Sequence, residues 1–202
     1  TPTTRGAGGL LAGPPSRSLR PPVSARDHVR GSVDGAVTLV EYGDYECPYC
    51  ARAHPIVQAL RARLGDRMRF VFRNFPLTQI HRHAQHAAEA AESVAADAGP
   101  AAFWAMHDLI FTHQRDSADA LDAAHLVAYA QQAGADGSVV ARDLERGAFA
   151  DRVREDFSGG VRSGVNGTPT FFIDGERYDG DWTDADAFAL VLTRKADAYT
   201  TG

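Results

Sequence analysis

Glu41-Tyr42-Gly43-Asp44-Tyr45-Glu46-Cys47-Pro48-Tyr49-Cys50 carries the only two cysteines of a 202-residue chain, two positions apart, between a β-like run and a helix-like one. A Cys-x-x-Cys at a strand-to-helix junction is the expected form of a redox dithiol. A purely structural disulfide at that spacing would close a loop too short to remove much entropy from the unfolded chain. A zinc centre would need two further Cys or His ligands at matching spacing, and no second Cys-x-x-Cys exists.

Upstream, Ala36-Val37-Thr38-Leu39-Val40-Glu41-Tyr42 is apolar and β-branched, and glycines bound it. It reads as a central strand covered on both faces. Val37, Leu39 and Glu41 then share one face, so an acid points where its neighbours are buried. Downstream, Pro48 suits the first position of a helix, and Ile56, Val57, Leu60 and Leu64 mark its apolar stripe. Cys47 stands at the helix N-terminus, where unpaired N–H groups favour an anion and lower a thiol pKa. Cys50 follows one turn on, at a Cα separation of about 5–6 Å that a disulfide accepts. Cys47 is therefore the expected nucleophile and Cys50 the resolving thiol. Pro55, inside the helical pattern, predicts a kink.

Met68 to Arg73 alternates apolar and basic residues and reads as a second strand, completing a β-α-β unit. From Gln79 to about Val165 the text is helical and Ala-rich, with candidate helices over 103–111, 121–132 and 139–149. Strand character returns at Thr170-Phe171-Phe172-Ile173, followed by the Asp174-Gly175 turn and Glu176-Arg177-Tyr178. Thr183 to Asp186 has the form of a capping box opening a last helix through Phe188, Val191 and Leu192. The expected fold is α/β: a mixed central sheet, β-α-β then β-β-α, with a helical block inserted at about 79–165. Residues 1–30, rich in Pro, Gly, Ser and Arg, read as a flexible tail or linker, and residues 31–200 as one domain.

Net charge is −5 and no basic stripe is present, which argues against nucleic acid or an anionic membrane as partner. No run approaches the ~18 apolar residues of a membrane span. Gly9-Leu10-Leu11-Ala12-Gly13 is too short for a signal-peptide core, and the absence of an initiator Met fits a mature form or a fragment. His81, His83 and His86 read as a solvated helix start rather than a metal site, and His107 as a hydrogen-bonded histidine at the core edge. The acidic stretch from Asp174 to Asp186 reads as a solvated rim.

Over roughly residues 27–197 the chain resembles the DsbA family of thioredoxin-fold thiol–disulfide oxidoreductases. The resemblance rests on Glu41 placed six residues before Cys47, on Cys47-Pro48-Tyr49-Cys50, and on Pro55. It also rests on Phe103-Trp104 with Met106-His107-Asp108 in the helical block, and on Gly167-Thr168-Pro169-Thr170 before the third strand. It implies a cis proline at Pro169 against the dithiol, substrate pairing at the Thr168 backbone, and a proton relay from Glu41 to Cys50. Pro48 and Tyr49 would shape the active site. The chain departs from the family's strong oxidants in carrying Tyr49, which cannot hold the charge that a histidine there would.

Ala25 to Gly31 ahead of Val37-Thr38-Leu39-Val40-Glu41-Tyr42 is similar to the DsbA-like domain fused behind some bacterial Na⁺/H⁺ antiporters. The resemblance implies a Cys47–Cys50 redox disulfide with no further cofactor, protein thiols and disulfides as substrates, and a separate recycling partner. A glutaredoxin- or thioredoxin-like reductase and a redox-sensing module of a fused transporter are the alternatives. The expected setting is the cell envelope, or the cytoplasmic face for an antiporter-fused domain.

Overall fold

The run flanked by Gly35 and Gly43 forms β2 (Val37–Gly43), buried at every residue, as a near-continuous apolar strand demands. The computed structural model describes residues 16–200. β2 pairs in parallel with β3 (Met68–Asn74) and antiparallel with β4 (Thr170–Ile173). β1 (His28–Gly31) closes the outer side of β3 and β5 (Glu176–Arg177) that of β4, giving the order β1-β3-β2-β4-β5. The helix after the dithiol is α1 (Pro48–Leu64), and the inserted block comprises α2 (Ala84–His113), α3 (Ala123–Gln132), α4 (Gly137–Arg146) and α5 (Ala150–Arg162). α6 (Ala185–Thr200) ends the described chain. From β2 onward the order is the expected β-α-β, helical block, β-β-α, with β1 added ahead of it.

The strand period sorts the core into two faces. Val37 and Leu39 of β2, Phe70 and Phe72 of β3, and Phe171 and Ile173 of β4 meet α1, α2 and α6 in the larger cluster. Val40, Tyr42, Val71 and Phe172 face the other way and pack with Leu19, Phe75 and Val165, with Phe157 of α5 against them. α5 can approach because Gly160 lacks a side chain: a Cβ there would stand 2.6 Å from the Phe75 ring.

Several boundaries differ from expectation. The tail was expected to run to residue 30, yet His28–Gly31 is an edge strand and Leu19 is buried. Neither segment has a periodic pattern of its own: β1 is held by β3 and by α2, through His28 on Glu92 and the Trp104 N–H on the Val29 carbonyl, and Leu19 by the second core cluster. Residues 1–15 of that tail lie outside the described residues. The helical block begins at Ala84 rather than Gln79, breaks at Gly99-Pro100 within α2, and contains α5, which the candidate helices omit. Capping of α6 falls to Asp184, whose carboxylate accepts from the Ala187 N–H at 3.0 Å. Thr183 instead donates to Asp181 at 2.6 Å. The Asp174-Gly175 hairpin turn is as expected, both residues having positive φ (49° and 84°).

Candidate active site

β2 ends at Gly43, and four residues later Cys47 is the N-cap of α1, in extended conformation with Pro48 first in the helix. The first turn carries no acidic residue, so the positive end of the helix faces the sulfur uncompensated. Both cysteines are free thiols and buried. The loop before β4 closes over them: the Thr168–Pro169 bond is cis, and the Cys47 thiol donates to the Thr168 carbonyl at 3.5 Å. The Cys50 thiol, the Thr168 hydroxyl and the N–H groups of Cys50 and Tyr49 favour the Cys47 thiolate. Together they outweigh burial and bring its pKa down from 9.0 to about 6. The Thr168 Oγ1 has no other hydrogen-bond partner and can turn to the sulfur.

Cys50 behaves oppositely. Burial pushes its pKa well up, and the hydrogen bond it gives to Cys47 and the Glu41 and Cys47 charges add to that; the Asp44 N–H, which donates to Sγ at 3.4 Å, opposes them. Glu41, 2% exposed, lies in register between Phe72 and Phe171. Its Oε1 has no hydrogen-bond partner. Desolvation, and secondarily the Cys47 charge, raise its pKa from 4.5 to about 8. One sulfur is thus easily ionised, the other resists ionisation, and a carboxyl that titrates near neutrality is coupled to both.

The loop from Asp44 to Glu46 is clamped to the helical block. The buried Asp44 carboxylate accepts from the N–H groups of Glu46 and Leu77, each at 2.8 Å, and from His81 Nδ1 at 2.7 Å. Gln114, at the end of α2, donates to the carbonyls of Tyr45 (2.8 Å) and Cys47 (3.1 Å). The Tyr45 hydroxyl shares a 3.0 Å hydrogen bond with His107 Nδ1. His107 is wholly buried rather than at the core edge, and burial drives its pKa well down, so it stays neutral. His81 and His83 are not solvated as expected: each side chain is only 16% exposed, His81 on Asp44 and His83 at the start of α2.

His54, His107 and Asp108 bring ligating atoms within 4.8 Å of one another. Asp108, however, is held by both Arg30 nitrogens (2.7 and 2.6 Å) and by Gln58 (3.1 Å). That donor set, with a guanidinium at its centre, suits an ion-pair network and not a cation.

The structure brings Cys47, Cys50, Glu41, Pro48, Thr168 and Pro169 together at the start of α1. Tyr49 turns outward and is 60% exposed. Asp44, His81 and Gln114, which hold the loop, were not among the expected site residues. An Asp beside a buried strand end was a usable signal for the first. The other two lie 37 and 69 residues away from their partners, and no local pattern marks them.

The family model described as thioredoxin matches residues 24–191. The Na⁺/H⁺ antiporter NhaA 1 of Salinispora arenicola is 46% identical over 168 residues, 83% of this chain and 24% of that protein. The chain spans about a quarter of the length of the curated relatives it matches. Among solved structures, BdbD from Bacillus subtilis aligns with TM-score 0.80 at 23% identity, over 91% of this chain and 98% of that one. A thioredoxin-like oxidoreductase from Silicibacter pomeroyi aligns with TM-score 0.66 at 27% identity, over 85% and 94%.

Proposed function

The chain belongs to the thioredoxin family, and we propose that it is a DsbA-like thiol–disulfide oxidoreductase acting on polypeptides through Cys47 and Cys50. The observation that carries this reading is the split pair at the α1 N-terminus: one thiol lowered to about 6, its neighbour raised, both against the cis-proline loop. In the oxidising direction a substrate thiolate attacks Sγ of Cys47. The Cys47–Cys50 bond breaks, a mixed disulfide forms, and the electron pair passes to Cys50. A second substrate thiolate then attacks the substrate sulfur of that mixed disulfide and releases Cys47 as its stable thiolate. The substrate gains a disulfide and the protein ends as a dithiol, two electrons richer. In the reducing direction Cys50 must lose its proton to resolve the mixed disulfide, and Glu41 is the acceptor we assign. In this reading Thr168 aligns the substrate backbone, Pro48 and Tyr49 frame the sulfur, and the dithiol itself holds the electron pair.

Equilibrating the protein with glutathione buffers and alkylating the products tests this. A single two-electron transition is expected, with Cys47 labelled at pH 6 and Cys50 resistant. Absence of a reversible transition would refute the reading.

A second reading draws on the antiporter-named relatives, of which the chain covers only a quarter: the domain reports redox state to an attached transporter. We place it accordingly at the cell envelope, on whichever face such an attachment puts it. Cation–proton exchange in vesicles should then differ between reducing and oxidising buffers, and Cys47→Ser should abolish the difference.

A further inference from the structure

Beside the reactive sulfur, Pro48, Tyr49 and Arg52 of α1 face Phe111, Thr112 and Arg115 at the end of α2 across a groove of about 460 Å³. Phe111, buried against Tyr45 and His54, forms its floor, and Tyr49 forms an exposed aromatic wall. The groove does not include the cis-proline loop. A polypeptide joined to Cys47 and aligned on Thr168 would therefore reach the groove with a different part of its chain.

The electrostatics of this groove run against those of the molecule. Net charge is −5, yet both long side chains at the rim are cations, and the positive end of α1 opens beside them with no acid in its first turn. Both arginines are exposed, and among the described residues neither has a carboxylate partner. The nearest acids along the chain are engaged elsewhere: before Arg52, Glu46 accepts from the His83 N–H (2.6 Å) and Asp44 pairs with His81 (2.7 Å). Asp116 pairs with His113 (2.7 Å), Asp119 with Arg82, Asp122 with His125 (2.8 Å), and Asp108 with Arg30 (2.6 Å). The Arg52 charge also acts on Asp181, an exposed carboxylate that makes no ion pair with it. Two unneutralised guanidiniums over an aromatic floor make a receptor for carboxylates.

We propose that this groove docks an acidic segment of the polypeptide that exchanges disulfides with Cys47, so that the protein selects partners whose reactive cysteine is flanked by Asp or Glu. The proposal rests on the oxidoreductase reading and names the substrate class of the same site. In the step concerned, the Cys47 thiolate attacks a peptide disulfide and expels one thiolate, leaving a mixed disulfide. Cys50 attacks Cys47 Sγ and releases the peptide thiol, so that the protein is oxidised and the peptide reduced by two electrons. The groove contributes contacts during the first attack and none to the bonds that change.

The test compares two synthetic peptides, identical except for Asp/Glu or Lys around a single cysteine held as a disulfide with 2-mercaptoethanol. Second-order rates with reduced protein should favour the acidic peptide by about tenfold at low salt, and high salt should erase the difference. The R52E/R115E variant should reverse the order and R52Q/R115Q should level it. All three proteins should react alike with uncharged 2-hydroxyethyl disulfide. Equal rates for the two peptides, or a preference that survives R52E/R115E, overturns the acidic-partner assignment while leaving the dithiol chemistry intact. Failure of every disulfide, the uncharged one included, overturns the oxidoreductase reading itself.

Discussion

At Glu41 a single carboxyl is set among aromatic rings on the strand that leads to the dithiol, and its environment fixes what it can do. Its folded pKa of about 8 exceeds the ordinary 4.5, so folding takes up a proton. Stability attributable to this group is full below pH 4.5 and is lost as pH rises toward 8. By pH 7 the cost is on the order of 3 kcal/mol. Glu41→Gln removes that titration, although its amide inherits an incompletely paired site. It should stabilise the reduced protein by about 2 kcal/mol at pH 7 and not at pH 4, read from urea midpoints. The same change should slow resolution of mixed disulfides by about 10²-fold and leave attack by Cys47 nearly intact, in stopped-flow traces. Resolution at the unaltered rate would remove Glu41 from the mechanism.

The active-site loop closes on itself through the Glu46 and Cys47 N–H groups on Asp44 and is tied to neighbouring elements by side chains. Asp44 ties it to the segment before α2 through Leu77 and His81, and Gln114 ties its carbonyls to the end of α2. The Asp44 N–H that faces Cys50 is aimed by this clamp. Asp44→Ala would leave two part-buried N–H groups and a histidine without their acceptor, each costing up to about 1–3 kcal/mol. A net loss of about 3 kcal/mol in urea unfolding is expected. Cys50 should also become harder to ionise, which a folded-protein alkylation profile can read separately from stability. His81→Ala removes one of the three ties and should cost less than Asp44→Ala. Equal losses would mean that the carboxylate acts through His81 alone.

Across the whole molecule the two cysteines, from one turn of one helix, are driven apart in acidity by parts of the chain that meet only in the fold. The folded pKa of Cys47, about 6, lies below the ordinary 9.0. Its contribution is present above pH 9 and is lost as pH falls through 6, a sense opposite to that of Glu41. Reduction of the disulfide then takes up two protons below pH 6 and one above it. The reduction potential should fall by about 59 mV per pH unit below that value and by about 30 above it, for a two-electron couple. A glutathione-buffer series across pH 5–8 would show the break; one slope throughout would mean that Cys47 is not an unusually acidic thiol.

The sequence alone determined the α/β order, the central strand, the dithiol at the helix start, the Asp-Gly hairpin and the inward register of Glu41. Each of these follows from local periodicity, from the backbone preferences of Gly and Pro, or from side-chain spacing within one element. Tertiary structure decided the rest. His28–Gly31 is a strand because β3 offers an open edge, and α5 has its place because Gly160 admits the Phe75 ring. His81 is a clamp and not a solvated histidine because Asp44 is buried beneath it. Such pairings depend on which surfaces the fold brings together. The burial that raises the Glu41 and Cys50 pKa values, and the Thr168 contact that helps lower that of Cys47, exist only once strands and loops distant in sequence enclose them.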